Sequence, residues 1–405
     1  MKKLMLFFLL AGLFYAAAGQ TDTEKAEKIY LEGLEIHNKA EQTGDSDLDL
    51  KAEKLFKKAI ELDSANSDAF VQLGWIHFAR EDRNFWEDGF LDSALYFAKK
   101  ALHFDKESAG VFGLLGMIYQ QKGKLDKSLE AYKSALLYNP DQSGIYGQMG
   151  GLYFNNGDYL KAVECLFKQQ DIDKNSGDNI WTLVNLYIVL SRTGYMKESH
   201  TCNEKMLKLN NDSSAYKYRI LFSHFISGDF DSVIELAKRY LKDDPTYLNS
   251  KFFLGWANLF KDNYDESCQW FKKAVEETKA SGQEVNPNEG YGFVCLQKGM
   301  KEEADFHLKG SVQNAIRLIE ANYYPEVNLP HLSLAAVYSA KGEKAKALEH
   351  LKKNKSTHLQ TLNNLKFNPM FDNIRDEPDF QSILKDVESK YGEVHQSVGK
   401  FLAER

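Results

Sequence analysis

A segment of 34 residues recurs along this chain, and the recurrence restricts the fold more than any other feature of the sequence. In one copy the apolar positions predict two helices, Ala109–Gln121 and Leu125–Tyr138, joined by a short Lys-Gly-Lys turn. A Leu-Gly pair in the first of these helices ends at Gly116, and a Met-Gly pair ends at Gly150, which is 34 residues later. The period therefore predicts a series of helical hairpins.

The same side-chain types return at the same places in each copy. The first helix carries a large apolar residue, a Leu-Gly or Met-Gly pair and a tyrosine, and the second helix carries a small residue and a large apolar one. The two best-preserved copies contain Phe112, Leu115, Gly116, Tyr119, Ser128, Tyr132, Ala135 and Pro140, and then Tyr146, Met149, Gly150, Tyr153, Gly157, Ala162 and Leu166. This pattern resembles the tetratricopeptide repeat (TPR). Over roughly residues 26–355 the resemblance implies an all-α, right-handed TPR-type solenoid of about nine helix-turn-helix units.

The recurring glycines have a physical explanation. A glycine inside a helix costs about 1 kcal/mol relative to alanine, so its repeated use indicates a gain in packing. Two antiparallel helices approach closely only where small side chains meet at their crossing point. We therefore expect each first-helix glycine to face a small residue of the second helix. The expected pairs are Gly74 with Ala94, Gly116 with Ser128, Gly150 with Ala162, Gly255 with Ser267, and Gly292 with Ala304.

The N-terminal residues 1–19 do not follow the repeat. Lys2 and Lys3 precede the apolar run Leu4–Tyr15, and small residues follow it. This order is typical of a secretory signal peptide, and it predicts an exported protein, periplasmic or secreted. An uncleaved N-terminal anchor is the alternative. The run is shorter than the ~20 residues that a membrane-spanning helix needs, and we expect no span in the mature chain.

The C-terminal residues also depart from the repeat. We assign residues 20–365 to the solenoid and 366–405 to a helical C-terminal cap and tail. Pro378 is placed to open a helix, and apolar residues beginning with Phe380 follow at helical spacing. Such a segment would cover the apolar face of the last repeat. A further helix, Val394–Leu402, either packs on this cap or awaits a partner.

The sequence contains no recognisable reaction centre. The zinc-protease, nucleophile-elbow, phosphate-loop and dinucleotide motifs are all missing, so we expect no enzymatic activity, cofactor or metal. The formal net charge of -7 disfavours nucleic acid as a partner. His77 and His224 occupy the repeat's tyrosine position and are expected to be packed helix residues. The cysteines, Cys165, Cys202, Cys268 and Cys295, are expected to be free thiols, with Cys268 and Cys295 the better pair should a disulfide form.

Function is expected in the groove of the solenoid. In the TPR family the first helices line the concave face, and ligands are usually extended peptides or helices. The residue after the crossing glycine, and the residue one turn later, would face that groove. They form a mostly aromatic stripe, suited to apolar anchors of a partner. The stripe contains Trp75, Phe78, Met117, Gly151, Phe154, Phe222, Phe225, Trp256, Phe260 and Phe293.

Two interpretations of this stripe remain open. The stripe either binds a partner or packs against neighbouring repeats and the C-terminal tail. The family's chaperone-binding members hold a C-terminal carboxylate with a basic clamp. No lysine stands three residues before the crossing glycines, where Phe252 and Glu289 are found, so this clamp is not expected. Phe85 and Trp86, in an expanded turn, either form another contact site or fold back on a helix.

The sequence thus predicts a non-catalytic scaffold that binds a protein or peptide partner in its groove, outside the cytoplasm. The alternative is a module that binds glycans or the cell envelope, because aromatic side chains also stack on sugar rings.

Overall fold

The computed structural model describes residues 21–83, 89–174, 179–320, 329–354 and 356–405. Within these ranges every regular element is a helix. The predicted signal peptide, Phe85 and Trp86 lie outside the described residues. The chain divides into two compact units, with the boundary between Ile145 and Tyr146.

The first unit contains three helical hairpins. They pair α1 (Asp22–Thr43) with α2 (Ser46–Leu62), α3 (Ser67–Arg83) with α4 (Phe90–Phe104), and α5 (Ala109–Gln121) with α6 (Leu125–Tyr138). Their apolar faces form the core of this unit, in which Phe56, Leu73 and Leu114 are fully buried. The helix bounds predicted for α5 and α6 are confirmed.

Six further hairpins belong to the second unit, although the first of their helices begins just before the boundary. They pair α7 (Ser143–Asn155) with α8 (Tyr159–Asp173), α9 (Ile180–Arg192) with α10 (Met196–Asn210), α11 (Ser213–Ser227) with α12 (Phe230–Asp243), α13 (Leu248–Leu259) with α14 (Tyr264–Ala280), α15 (Glu289–Gln297) with α16 (Lys301–Glu320), and α17 (Leu329–Ala340) with α18 (Lys344–Lys353). The nine hairpins found among the described residues confirm the number that the repeat predicts.

The turns of the seven hairpins from α5–α6 to α17–α18 use one hydrogen-bonding pattern. At Gly299 the backbone takes φ +72°, and the following amide, of Met300, donates to the Cys295 carbonyl at 2.9 Å. A residue in this left-handed conformation ends the helix, and glycine adopts the conformation without a Cβ clash. In the turn between α13 and α14, Asp262 takes the same position with φ 59°. Aspartate tolerates this conformation better than most side chains.

The expected meeting of small residues at the helix crossings is confirmed for four of the five pairs, those of Gly74, Gly116, Gly150 and Gly255. The Ser128 hydroxyl donates to the Gly116 carbonyl at 2.7 Å, and the Ser267 hydroxyl donates to the Gly255 carbonyl at 2.8 Å. A Cβ on Gly116 would lie 2.3 Å from the Tyr132 ring. No side chain larger than hydrogen fits there without displacing the ring. At Gly292 the nearest atoms belong to His307 and Leu308, one turn beyond the expected Ala304.

The C-terminal segment begins with α19 (Leu359–Phe367), a 3₁₀ turn (Pro369–Phe371) and the 27-residue helix α20 (Pro378–Glu404). Its first part lies on the last hairpin. Phe371 and Phe380 are fully buried there, and Lys352 forms an ion pair with Asp379 at 2.7 Å. The apolar face of α18 is therefore covered by this segment.

The sequence predicts a separate helix over Val394–Leu402, but α20 is continuous through these residues. No proline follows Pro378, and the two glycines inside the helix, Gly392 and Gly399, cost only about 1 kcal/mol each. At 1.5 Å per residue the helix is about 40 Å long. Its far end packs against α8 and the turn before α10, which is neither of the two expected arrangements.

Several contacts hold this far end in place within the second unit. The Tyr195 hydroxyl donates to the His395 carbonyl at 2.5 Å, and the two rings stack with centroids 4.7 Å apart. The Arg405 guanidinium forms two hydrogen bonds of 2.7 Å with the Asp171 carboxylate and covers the Phe167 ring. One helix thereby connects the last hairpin of the second unit with its first two.

Candidate functional site

The first helices of the second unit border two adjoining cavities. The one that we name the aromatic cavity has a volume of about 370 Å³ and is lined by Tyr218, Phe222, Phe225, Asn249, Phe252, Phe253, Trp256, Phe260, Glu289, Gln360 and Asn364. The other, the mixed cavity, has a volume of about 380 Å³ and is lined by Trp256, Pro287, Glu289, Ser311, Asn314, Ala315, Leu318, Leu329, Pro330, Leu332, Ser333, Ala336, Gln360, Asn364 and Asn368. Four residues border both cavities, namely Trp256, Glu289, Gln360 and Asn364.

The repeat explains which side chains line the cavities. Helices α11, α13 and α17 each contribute the residue three before the crossing position and the residue one after it. These two are four apart and therefore share one helix face. The pairs are Tyr218 and Phe222 around Leu221, Phe252 and Trp256 around Gly255, and Leu332 and Ala336 around Ala335. Helix α15 supplies only the first member, Glu289.

Four residues of the predicted stripe, Phe222, Phe225, Trp256 and Phe260, come together at the aromatic cavity. The Phe225 ring contacts both Trp256 and Phe260 edge-on, with centroids 6.5 and 5.1 Å apart. Phe260 is nevertheless mostly covered. Phe293 is only 4% exposed, packs edge-on against Tyr264, and does not line the cavity.

The other residues of the stripe lie elsewhere. Gly151 and Phe154 line a separate cavity of about 200 Å³ in the second unit, and Arg192 covers the Phe154 ring. Trp75, Phe78 and Met117 belong to the first unit. There Phe78 is buried, and the half-buried Trp75 and Met117 pack against the same core. Only the central part of the stripe therefore forms a common site.

Seven of the eleven residues that line the aromatic cavity were not predicted as part of the site, namely Tyr218, Asn249, Phe252, Phe253, Glu289, Gln360 and Asn364. Tyr218 and Phe253 belong to helices with predicted groove residues, and Tyr218 stands at the same repeat position as Phe252. Gln360 and Asn364 come from α19, which lies after the last repeat and gives no repeat signal. The Asn363 side chain fixes α19 in place because it donates to the Ile226 carbonyl at 2.7 Å.

Glu289 is the single charged side chain among the described residues that line either cavity. It is the first residue of α15, directly after Asn288, whose side chain accepts a hydrogen bond from the Tyr291 amide at 2.9 Å. Burial raises the pKa of the Glu289 carboxyl above its ordinary value, although hydrogen bonds from its own amide and from the Ser333 hydroxyl act in the opposite direction. No ion-pair partner for it is present in the part of the chain that the structure describes.

Outside these cavities, side chains that could in principle take part in catalysis, such as His77 and Cys295, are packed against neighbouring side chains. His77 lies between aromatic rings, with its centroid 5.2 Å from that of Phe97. Cys165, Cys268 and Cys295 are free thiols, and burial raises the pKa of the Cys295 thiol to about 12, which makes it a poor nucleophile. Across the described ranges, no group of three or more His, Cys, Asp or Glu side chains could hold a metal ion.

A helix that spans a bilayer needs about 20 predominantly apolar residues. None of the helices of the described residues combines the length and the apolar character needed to cross a membrane.

Comparison with protein families gives two matches. The tetratricopeptide repeat model matches residues 143–176 and 248–280, which correspond closely to the hairpin α7–α8 and the hairpin α13–α14. A model described as cohesin loading factor matches residues 3–148. No curated protein matches the chain.

Solved structures with similar folds include a tetratricopeptide repeat protein from Parabacteroides merdae, at 19% identity and a TM-score of 0.40, covering 62% of this chain and 93% of that one. PilF from Pseudomonas aeruginosa has 17% identity and a TM-score of 0.39, and the match covers 53% of this chain and 92% of that one. YrrB, described as a TPR protein with an unusual peptide-binding site, has 18% identity and a TM-score of 0.34, and the match covers 49% of this chain and 97% of that one.

The family match and the hairpin geometry agree with each other. The matched segments contain the crossing glycines Gly150 and Gly255, and the remaining hairpins repeat the same arrangement of helices. The TPR fold is in general a scaffold for protein interaction. The chain is therefore a tetratricopeptide-repeat protein of the all-α solenoid class.

Proposed function

We propose that this protein is an exported, non-catalytic scaffold whose second unit binds a segment of a partner protein along the aromatic and mixed cavities. The proposal rests above all on the aromatic cavity, in which seven aromatic side chains surround about 370 Å³. Export is proposed from the order of residue types in residues 1–19.

The walls of the aromatic cavity are suited to holding an apolar anchor. The Tyr218 and Phe222 rings stack nearly parallel, at 12° with centroids 6.1 Å apart, and Tyr218 also contacts Phe253. Rings fixed by one another lose little conformational entropy when a ligand binds. A leucine or aromatic side chain of a partner would remove apolar surface from water there, which contributes about 25 cal/mol per Å².

The cavity's polar rim supports a second candidate. Asn249, Gln360 and Asn364 place amide groups beside the aromatic rings. Amides next to rings also suit the hydroxyls and faces of a sugar, as in a glycan-binding module. Peptide binding is favoured because the cavities continue into one another past Trp256, which gives room for successive side chains of an extended segment.

The test is a selection of phage-displayed random 12-residue peptides on the purified chain 21–405, with a glycan array in parallel. Selected peptides are then titrated against Phe222→Ala and against Phe306→Ala, a matched control. Phe306 is 54% exposed on α16 and lies outside both cavities. We expect Phe222→Ala to weaken binding about tenfold or more, the usual effect of removing a hot-spot aromatic, and Phe306→Ala to leave it unchanged. Selection of glycans alone, or equal effects of both variants, would contradict peptide binding at this site.

A further inference from the structure

Where the aromatic and mixed cavities meet, one acidic side chain stands without a counter-ion. Glu289 borders both cavities, and the described residues that line them contribute no lysine, arginine or histidine. A partly buried carboxylate without a counter-ion is costly, because the hydrogen bonds from its own amide and from the Ser333 hydroxyl replace only part of its hydration. The raised pKa of Glu289 is consistent with that cost.

A second polar group at the same place also has an unused capacity to accept a hydrogen bond. The Gln360 side-chain oxygen is buried and has no hydrogen-bond partner among the described residues. Gln360 borders the same two cavities as Glu289. A carboxylate and an amide oxygen are both acceptors, so the complementary group is a donor.

The third element is the ring of Trp256. It lies against the backbone of Gly290, the residue after Glu289, so closely that a Cβ on Gly290 would come 2.7 Å from the ring. The ring therefore lies against the residue next to Glu289 and borders the same two cavities as Glu289 does. An aromatic face next to a carboxylate is favourable for a cation, through the ring quadrupole and through charge.

We propose that this junction is a subsite for a basic side chain of the bound partner segment, with the charged group at Glu289 and Gln360 and the aliphatic stem along Trp256. Arginine is preferred over lysine, because its planar group both stacks on an aromatic face and donates two parallel hydrogen bonds to a carboxylate. The inference rests on the proposed function and adds charge selectivity to it. A metal ion does not fit the subsite, since a single carboxylate among apolar walls supplies too few oxygen ligands.

The two cavities and the subsite between them thus predict a sequence pattern for the partner segment. An apolar or aromatic residue would occupy the aromatic cavity, and a basic residue would follow within a few positions. The mixed cavity, bordered by Ala315, Leu332 and Ala336, would take a small or aliphatic residue beyond it.

The experiment uses the phage-selected 12-residue peptides on the chain 21–405 and on Glu289→Gln, which keeps the shape and removes the charge. Glu302→Gln, an exposed carboxylate on α16, is the matched control. For one selected peptide, each arginine is replaced by citrulline, which is neutral and nearly isosteric, and the dissociation constants are measured by calorimetry.

We expect one arginine whose replacement by citrulline weakens binding to the unaltered chain and to Glu302→Gln at least about tenfold, as for a desolvated charge pair. On Glu289→Gln the two peptides should bind within about twofold of each other. Thermal unfolding should show Glu289→Gln to be at least as stable as the unaltered chain, since the substitution removes a partly buried charge that has no counter-ion.

Two results would overturn the inference in distinguishable ways. If the selected peptides bind in the aromatic cavity but citrulline has the same small effect on all three proteins, the subsite is refuted and the proposed function stands. If neither the unaltered chain nor any variant selects a peptide, the proposed function fails and the subsite fails with it.

Discussion

The Trp256 indole rests on the backbone of Gly290, so that residue 290 has no space for a side chain. The two residues come from α13 and α15, the first helices of consecutive hairpins. The contact places the ring at the boundary of the aromatic and mixed cavities, next to Glu289. Gly290, which does not lie at a helix crossing, thus sets the position of the Trp256 side chain in the groove.

Gly290→Ala tests this contact. The new methyl group would push the Trp256 ring away from Glu289, so we expect the affinity for selected peptides to fall about fivefold or more, with a loss of stability of about 1–3 kcal/mol from overpacking. The control is Gly392→Ala in α20, where nothing lies within 4 Å of an added Cβ. That substitution should leave binding unchanged and stabilise the helix by up to about 1 kcal/mol. Unchanged binding by Gly290→Ala would show that the ring position is irrelevant to the ligand.

The hairpin crossing is tested by a pair of glycine substitutions. In Gly116→Ala the added Cβ would meet the Tyr132 ring at 2.3 Å, and the ring is fully buried, so we expect destabilisation of about 2–4 kcal/mol in denaturant unfolding. In Gly151→Ala nothing lies within 4 Å, and the gain in helix propensity should stabilise the protein by about 0.5–1 kcal/mol. Equal effects of the two substitutions would contradict close packing at the crossing.

The far end of α20 should restrain the helices that it contacts. Removing residues 391–405 takes away the hydrogen bonds of His395 and the Arg405–Asp171 pair. We expect faster amide hydrogen exchange in α8 and at residues 190–200, measured by mass spectrometry, and no change in the first unit. Arg405→Ala alone should cost no more than about 1 kcal/mol, because the pair is partly exposed. Unaltered exchange in α8 after the deletion would mean that the helix does not hold this region.

His307 should make stability depend on pH. Its ring is buried, its Nδ1 accepts a hydrogen bond from the Asn288 amide at 3.2 Å, and burial lowers its pKa to about 4. The unfolded chain binds a proton near pH 6.5 and the folded chain does not, so the contribution to stability is complete above pH 6.5 and is lost as the pH falls towards 4. Replacement by glutamine, which stays neutral, should reduce the loss of stability between pH 6.5 and 4 by about 1–2 kcal/mol, after allowance for solvent screening. Identical pH profiles for the two proteins, from urea unfolding, would argue against a neutral buried ring.

The sequence predicts the hairpins well because their determinants are local and periodic. Crossing glycines, small partners such as Ser128 and turn glycines such as Gly299 recur at fixed spacing. The groove is predicted less completely, since the choice of lining position depends on how far each helix is rotated and how long it is. Phe293 follows the pattern in sequence, but it lies in the nine-residue helix α15 and is buried against Tyr264.

The remaining features depend on contacts between distant residues. Gln360 and Asn364 reach the cavities because Asn363 binds the Ile226 carbonyl, 137 residues earlier. Tyr195 and His395 are 200 residues apart. Neither relationship has a periodic signature, so neither could be read from the repeat.

If a partner segment lies over the aromatic cavity, a photo-crosslinker placed in the wall of that cavity should capture it. A benzophenone amino acid is placed at residue 222 in one variant and at residue 306 in another, and each is irradiated with a phage-selected peptide. Mass spectrometry then measures the crosslinked fraction and its position. We expect efficient crosslinking from residue 222 and background levels from residue 306. Equal yields from both positions, or crosslinking from residue 306 alone, would contradict binding over the aromatic cavity.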